Sequence, residues 1–204
     1  MDEFTDRLTG LRWLGAAERS LQNMLGDDRE RLLAEVAIDR FVALVDGLGD
    51  DAAERALGAA AARITAFVRP HGRVWRLRGA CVLVVTDDPA ALADPEAWAA
   101  RLLDDLAAPL PVPPYMLSLT ASVGLARHPQ DEAGAAAALA ACDRALYVAQ
   151  RSGVGRAQLA PRGQGLAAPD FTRALARSLE RDELEMHYQP FVDAADGRIA
   201  GVEA

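Results

Sequence analysis

Residues 73–86, RVWRLRGACVLVVT, place two apolar runs on either side of Arg78-Gly79. Glycine accepts the positive φ that a tight connection requires, so the segment predicts a β-hairpin. Helical patterns flank it. LGAAERSLQNML (14–25) reads as an amphipathic helix, and an Ala-rich helix is expected over 51–68. Asp94 and Pro95 suit the N-cap and first position of a third helix, in which Trp98, Leu102 and Leu106 recur on one face. A fourth helix is expected over 133–150, with Gly153 positioned to end it. Apolar stretches at 31–38, 115–126 and 156–160 supply further strands. A hairpin set among interleaved helices and strands predicts an α/β (α+β) domain with a mixed sheet.

PRGQGLAAPD (161–170) is the clearest Gly/Pro-rich connector, and a domain boundary is expected there. Beyond it the pattern suggests a helix over about 170–181 and strands near 184–189 and 197–203.

Composition narrows the function. The net charge of −8 argues against a phosphate-backbone partner, so no nucleic acid is expected. Arginine is the only basic residue besides histidine; without lysine, any phosphate contact falls to arginines or backbone amides. Cys81 and Cys142 lack ligand spacing and read as reduced, buried thiols, and the three histidines are scattered. No membrane segment or signal peptide is recognisable, which makes a cytoplasmic location the expectation.

Three motifs then carry a resemblance. Asp6-Arg7-Leu8-Thr9-Gly10-Leu11 matches a D-x-LTGL opening, Ser122-Val123-Gly124-Leu125-Ala126 matches a strand of type S-V-G-x-A, and Cys142-Asp143-Arg144-Ala145-Leu146-Tyr147-Val148-Ala149-Gln150 is close to AD-x-ALY-x-AK. In this order they resemble the GGDEF family of diguanylate cyclases. The closing stretch, LEMHYQPFVDAADGRIAGVEA, resembles the opening of an EAL domain, the cyclic di-GMP phosphodiesterase family. The resemblance implies a GGDEF-type palm, with a five-stranded mixed sheet flanked by helices, over 1–160. A linker at 161–168 and the first helix and hairpin of an EAL barrel at 169–204 complete the expected organisation.

It also implies a departure from the family's chemistry. The five signature positions fall on Arg78, Gly79, Ala80, Cys81 and Val82, so both acidic residues are replaced. The carboxylate at the end of the first strand falls on Ala37, while Asp39 is retained. Base and phosphate contacts fall on Val45, Val42 and Gln150. Glu54 and Arg69 are the residual candidates for nucleotide contact. No catalytic residue and no cofactor is therefore expected in this chain. Mg²⁺ enters only with a complete EAL domain, where Glu203 would be a ligand. The function implied is a catalytically inactive GGDEF domain that regulates or scaffolds an EAL module of the same polypeptide. The alternative is a GTP-binding sensor controlling that module. A homodimer and binding of GTP or cyclic di-GMP remain open.

Of the remaining singled-out residues, Asp6, Thr9 and Gly10 read as a capped turn. Arg69, Arg73, Arg76 and Arg78 read as an exposed polar edge that discourages strand pairing, and Trp75, Trp98 and Tyr147 as core aromatics.

Overall fold

A computed structural model of the protein describes residues 4–27, 29–129, 134–161, 178, 181 and 185–203. The chain divides into two compact units, Met1–Gly165 and Leu166–Ala204.

The first unit is built on a five-stranded mixed sheet. Its centre is β1 (Arg31–Ile38), a run apolar apart from Arg31 and Glu35, in which only Glu35 is not fully buried. Such a run suits a strand covered on both faces. The hairpin strands β2 (Gly72–Arg76) and β3 (Cys81–Thr86) form one side of the sheet, with β3 antiparallel to β1 and β2 at the edge. On the other side β6 (Ala121–His128) runs antiparallel to β1, and β7 (Ala157–Leu159) runs parallel to β6.

The alternation of β1 divides the core in two. Leu32, Ala34, Val36 and Ile38 pack with α3 (Asp50–Val68) and α5 (Pro95–Ala107), whose Trp98, Leu102 and Leu106 are buried as the spacing predicted. Leu33 points to the other face, among residues of α1 (Leu14–Leu25) and α6 (Gly134–Arg151). Asp94 caps α5 by accepting a 2.9 Å hydrogen bond from the Ala97 amide.

Several expectations need correction. The single strand at 115–126 is two: β5 (Tyr115–Leu117) pairs with β4 (Leu110–Val112), and the sheet strand begins at Ala121. Phe41–Leu48 forms α2 and Pro89–Ala93 forms α4, neither anticipated. Tyr147 is 60% exposed and lies over Arg151 rather than in the core. Cys142 is buried but Cys81 only partly so.

In the second unit β8 (Gln189–Val192) and β9 (Ile199–Glu203) form an antiparallel hairpin, so the first of these strands starts later than the pattern suggested. Gln189 and Glu203 are opposite one another. The helix expected at 170–181 lies, but for residues 178 and 181, outside the described residues, as does the linker beyond Pro161.

Candidate functional site

The turn between β2 and β3 stands beside the end of β1. Gly79 takes φ +59°, Leu77 N–H donates to the Cys81 carbonyl, and Ile38 N–H reaches the Ala80 carbonyl at 3.1 Å. Register places Ala37 directly opposite Cys81 on one side and Ser122 on the other. The positions expected to supply a pair of carboxylates are thus neighbours, and they carry a methyl group and a thiol.

Asp39 is occupied elsewhere. Ser122 Oγ donates to its Oδ1 at 2.7 Å, and the Gly155 amide donates to its Oδ2 at 2.8 Å. These bonds tie the end of β1 to β6 and to the loop before β7. Burial, reinforced by nearby Glu35, pushes the Cys81 thiol up to about 11, so it remains protonated at neutral pH. Mg²⁺ requires hard oxygen ligands in near-octahedral geometry. Ala37, a neutral thiol and an engaged Asp39 do not fit it. Among the described residues no cluster of His, Cys, Asp and Glu is placed to hold a metal.

The two residual nucleotide candidates do not meet. Glu54 lies exposed in the second turn of α3, and Arg69 caps the far end of that helix. At 1.5 Å per residue they are about 22 Å apart. Arg69 lines a separate depression with Arg12, Ser20, Thr65 and Arg73. Val42 is 73% exposed on α2, a helix of sequence FVALVDGL in which no residue is fully buried.

Arg76 departs from the expected exposed edge. Its side chain is 6% exposed and meets Asp6, itself 8% exposed, at 3.3 Å. The guanidinium also donates to the carbonyls of Leu77, Gly79 and Cys81, three carbonyls of the turn, and lies 5.3 Å over the Trp13 ring. Asp6 in turn accepts from Thr9 Oγ1 at 2.6 Å within the expected N-terminal turn. The partners are 70 residues apart, so no local pattern in the sequence announces them.

Sequence reasoning also missed Glu35. Its backbone sits in the middle of the sheet, with its side chain in a cleft of about 500 Å³ lined by Trp13, Leu14, Arg78, Leu83, Leu139 and Asp143 among others. A lone acid within an otherwise apolar strand is the signal that could have found it. Burial, with Asp143 adding and Arg78 opposing, raises its carboxyl to about 7 from an ordinary 4.5.

This shift has a consequence for stability. Between the ordinary value and about pH 7 the folded carboxyl holds a proton that the unfolded one releases. Stability attributable to Glu35 is therefore fully present at low pH and falls as pH rises through that window. Glu35→Gln should remove the fall. We expect the variant to gain about 1–2 kcal/mol over wild type between pH 5 and pH 8, discounted for partial exposure. Urea titrations at the two pH values measure it; an unchanged difference would mean that Glu35 is solvated.

The five-stranded mixed sheet with helices on both faces, and the turn between β2 and β3 set against the end of the central strand, define a mixed α/β fold of the kind seen in GGDEF structures. Residues 3–156 match the family described as "Diguanylate cyclase, GGDEF domain", and the chain belongs to the GGDEF family. Among solved structures, the GGDEF domain of YfiN (TpbB) from Pseudomonas aeruginosa superposes with a TM-score of 0.72 at 27% identity, covering 83% of this chain and 99% of that one. A Caulobacter vibrioides protein described as an "Uncharacterized signaling protein" is 34% identical over 98% of this chain and 26% of its own length. MucR of Pseudomonas aeruginosa, a "Bifunctional diguanylate cyclase/cyclic di-GMP phosphodiesterase", is 29% identical over 92% of this chain and 28% of its own length. The chain thus spans about a quarter of these relatives. Both matches cover more of it than residues 3–156 do, and so run on beyond the GGDEF domain.

Proposed function

We propose that this chain is a non-catalytic GGDEF domain that regulates or scaffolds an EAL module within one cyclic di-GMP signalling polypeptide. The observation that carries the reading is the Ala37–Cys81 pair, which puts no oxygen donor where two facing carboxylates would hold a metal. Phosphoryl transfer between nucleotides depends on metal neutralisation of the triphosphate, so losing both ligands removes the main source of transition-state stabilisation. Val42 and Val45 on α2, lacking side-chain hydrogen-bonding groups, favour this reading over a GTP sensor.

The domain organisation is part of the proposal: 1–160 as the GGDEF domain, 161–168 as linker, and 169–204 as the first part of an EAL domain. It is supported by the QP-F-V-D…G-R-I-A-G-V-E-A stretch and by relatives whose similarity continues past residue 156. In a complete EAL domain Glu203 would take its ligand role.

The test is incubation with GTP and Mg²⁺ or Mn²⁺, followed by chromatography for cyclic di-GMP, with calorimetric titration of GTP and cyclic di-GMP alongside. The expected result is no product above the protein-free control and no heat of GTP binding. Product formation would overturn the non-catalytic reading. Saturable micromolar GTP binding without turnover would favour the sensor, in which Glu54, Arg69 and backbone amides contact the nucleotide.

A further inference from the structure

The cleft around Glu35 lies beneath the turn, on the sheet face covered by α1 and α6. Its volume of about 500 Å³ is within the range of small-molecule sites. Trp13 and Leu14 supply the wall from the start of α1, Leu77 and Arg78 the wall from the turn, Leu83 the floor from β3, and Leu139 and Asp143 the wall from α6. Most of this surface is apolar. Set into it are the carboxyl groups of Glu35 and Asp143, with Asp143 close enough to disfavour the charge of Glu35 and Arg78 close enough to favour it. Arg76 lines the cleft too, but its guanidinium is committed to Asp6 and to three carbonyls.

We propose that this cleft binds a small amphipathic amine, its cationic head between Glu35 and Asp143 and its apolar or aromatic body against Leu77, Leu83 and Leu139. Above about pH 7, where Glu35 is ionised, two carboxylates face one guanidinium that has no hydrogen-bond partner among the described residues, and the cleft is short of positive charge. A ligand ammonium supplies that charge beside the half-buried Glu35 and the exposed Asp143 at the mouth of the cleft. The apolar walls reward a hydrocarbon or ring attached to it. An anion of the same shape faces two acids for one arginine, and the net charge of −8 adds to its disadvantage. Because Leu77 and Arg78 belong to the turn, occupancy would be felt there. The inference does not depend on whether the domain is catalytic.

The experiment is a ¹H–¹⁵N NMR titration of the chain at about pH 8, where Glu35 is ionised, with phenethylamine, and in parallel with 3-phenylpropionate, which carries a similar ring and the opposite charge. Saturable shifts confined to amides around Leu77, Leu83, Leu139 and Asp143 are expected for the amine, with the carboxylate about tenfold weaker or more. Glu35→Gln and Asp143→Asn should each weaken the amine at least several-fold while keeping the wild-type spectrum elsewhere. Equal binding of the two probes, amine binding indifferent to both substitutions, or no saturable shift from the amine would overturn the proposal. GTP turnover and GTP calorimetry are separate measurements, so failure here leaves the reading of the GGDEF domain untouched, and the converse holds.

Discussion

Gly124→Ala is expected to cost about 3–5 kcal/mol of stability, lowering the melting temperature of a domain this size by roughly 10 °C or more. A Cβ built on Gly124 falls 2.2 Å from the Cys142 carbonyl oxygen, 2.3 Å from the Leu146 amide nitrogen and 2.8 Å from the Leu146 Cα. All three are backbone atoms of α6, so no side-chain rotation relieves the clash. The helix must move away from β6, and with it go the Cys142 thiol contacts to the Gly124 carbonyl at 3.0 Å and the Glu35 amide at 3.2 Å. Gly79→Ala is the informative contrast. That position has φ +59° but open space around it, so the cost there is backbone strain alone, on the order of 1 kcal/mol. Thermal and urea unfolding of the two variants give the comparison. Should Gly124→Ala prove as mild as Gly79→Ala, α6 does not approach the sheet so closely, and the cleft beneath it must be redrawn.

The glycine of the S-V-G-x-A strand is thus a packing residue, and its role was legible as a motif but not as a distance. Other features were readable from local chemistry. The limits of β1 follow from a largely apolar run, the hairpin from Gly79 between two apolar stretches, and α5 from Asp94-Pro95 with its four-residue spacing. α2 was missed because FVALVDGL has no apolar period and ends at Gly49, features that look equally like a loop or a short strand. Tyr147 was misplaced through its neighbour: Leu146 is buried at 5% exposure, and one residue further the helix has turned by about 100°. What no window of sequence shows is a contact closed by the fold. The facing of Ala37 and Cys81 could be anticipated only through the family resemblance, whereas the Asp6–Arg76 pair and the cleft around Glu35 had no such guide.

That buried pair carries the second large effect. Arg76→Ala leaves Asp6 without its cation in a buried position and removes the donors that the Leu77, Gly79 and Cys81 carbonyls now share. Removing one member of a buried ion pair strands the other in low dielectric, at a cost of about 3–5 kcal/mol. Asp6→Ala strands Arg76 instead, but the three carbonyls keep part of its hydrogen bonding, so a smaller loss is expected, about 2–3 kcal/mol. Because the two side chains act on one another, the losses should not add. The double variant should be more stable than the sum of the singles by about 1–3 kcal/mol. Hydrogen exchange then separates a local role from a global one. With Arg76 gone, the Leu77 and Cys81 amides should exchange faster than the fall in global stability alone explains, since the guanidinium holds the turn's carbonyls inward. Equal acceleration across the whole sheet would mean that Arg76 stabilises the domain without shaping the turn. Selective acceleration at the turn in Asp6→Ala as well would place the shape of the β2–β3 turn under the control of the N-terminal segment, through a single guanidinium.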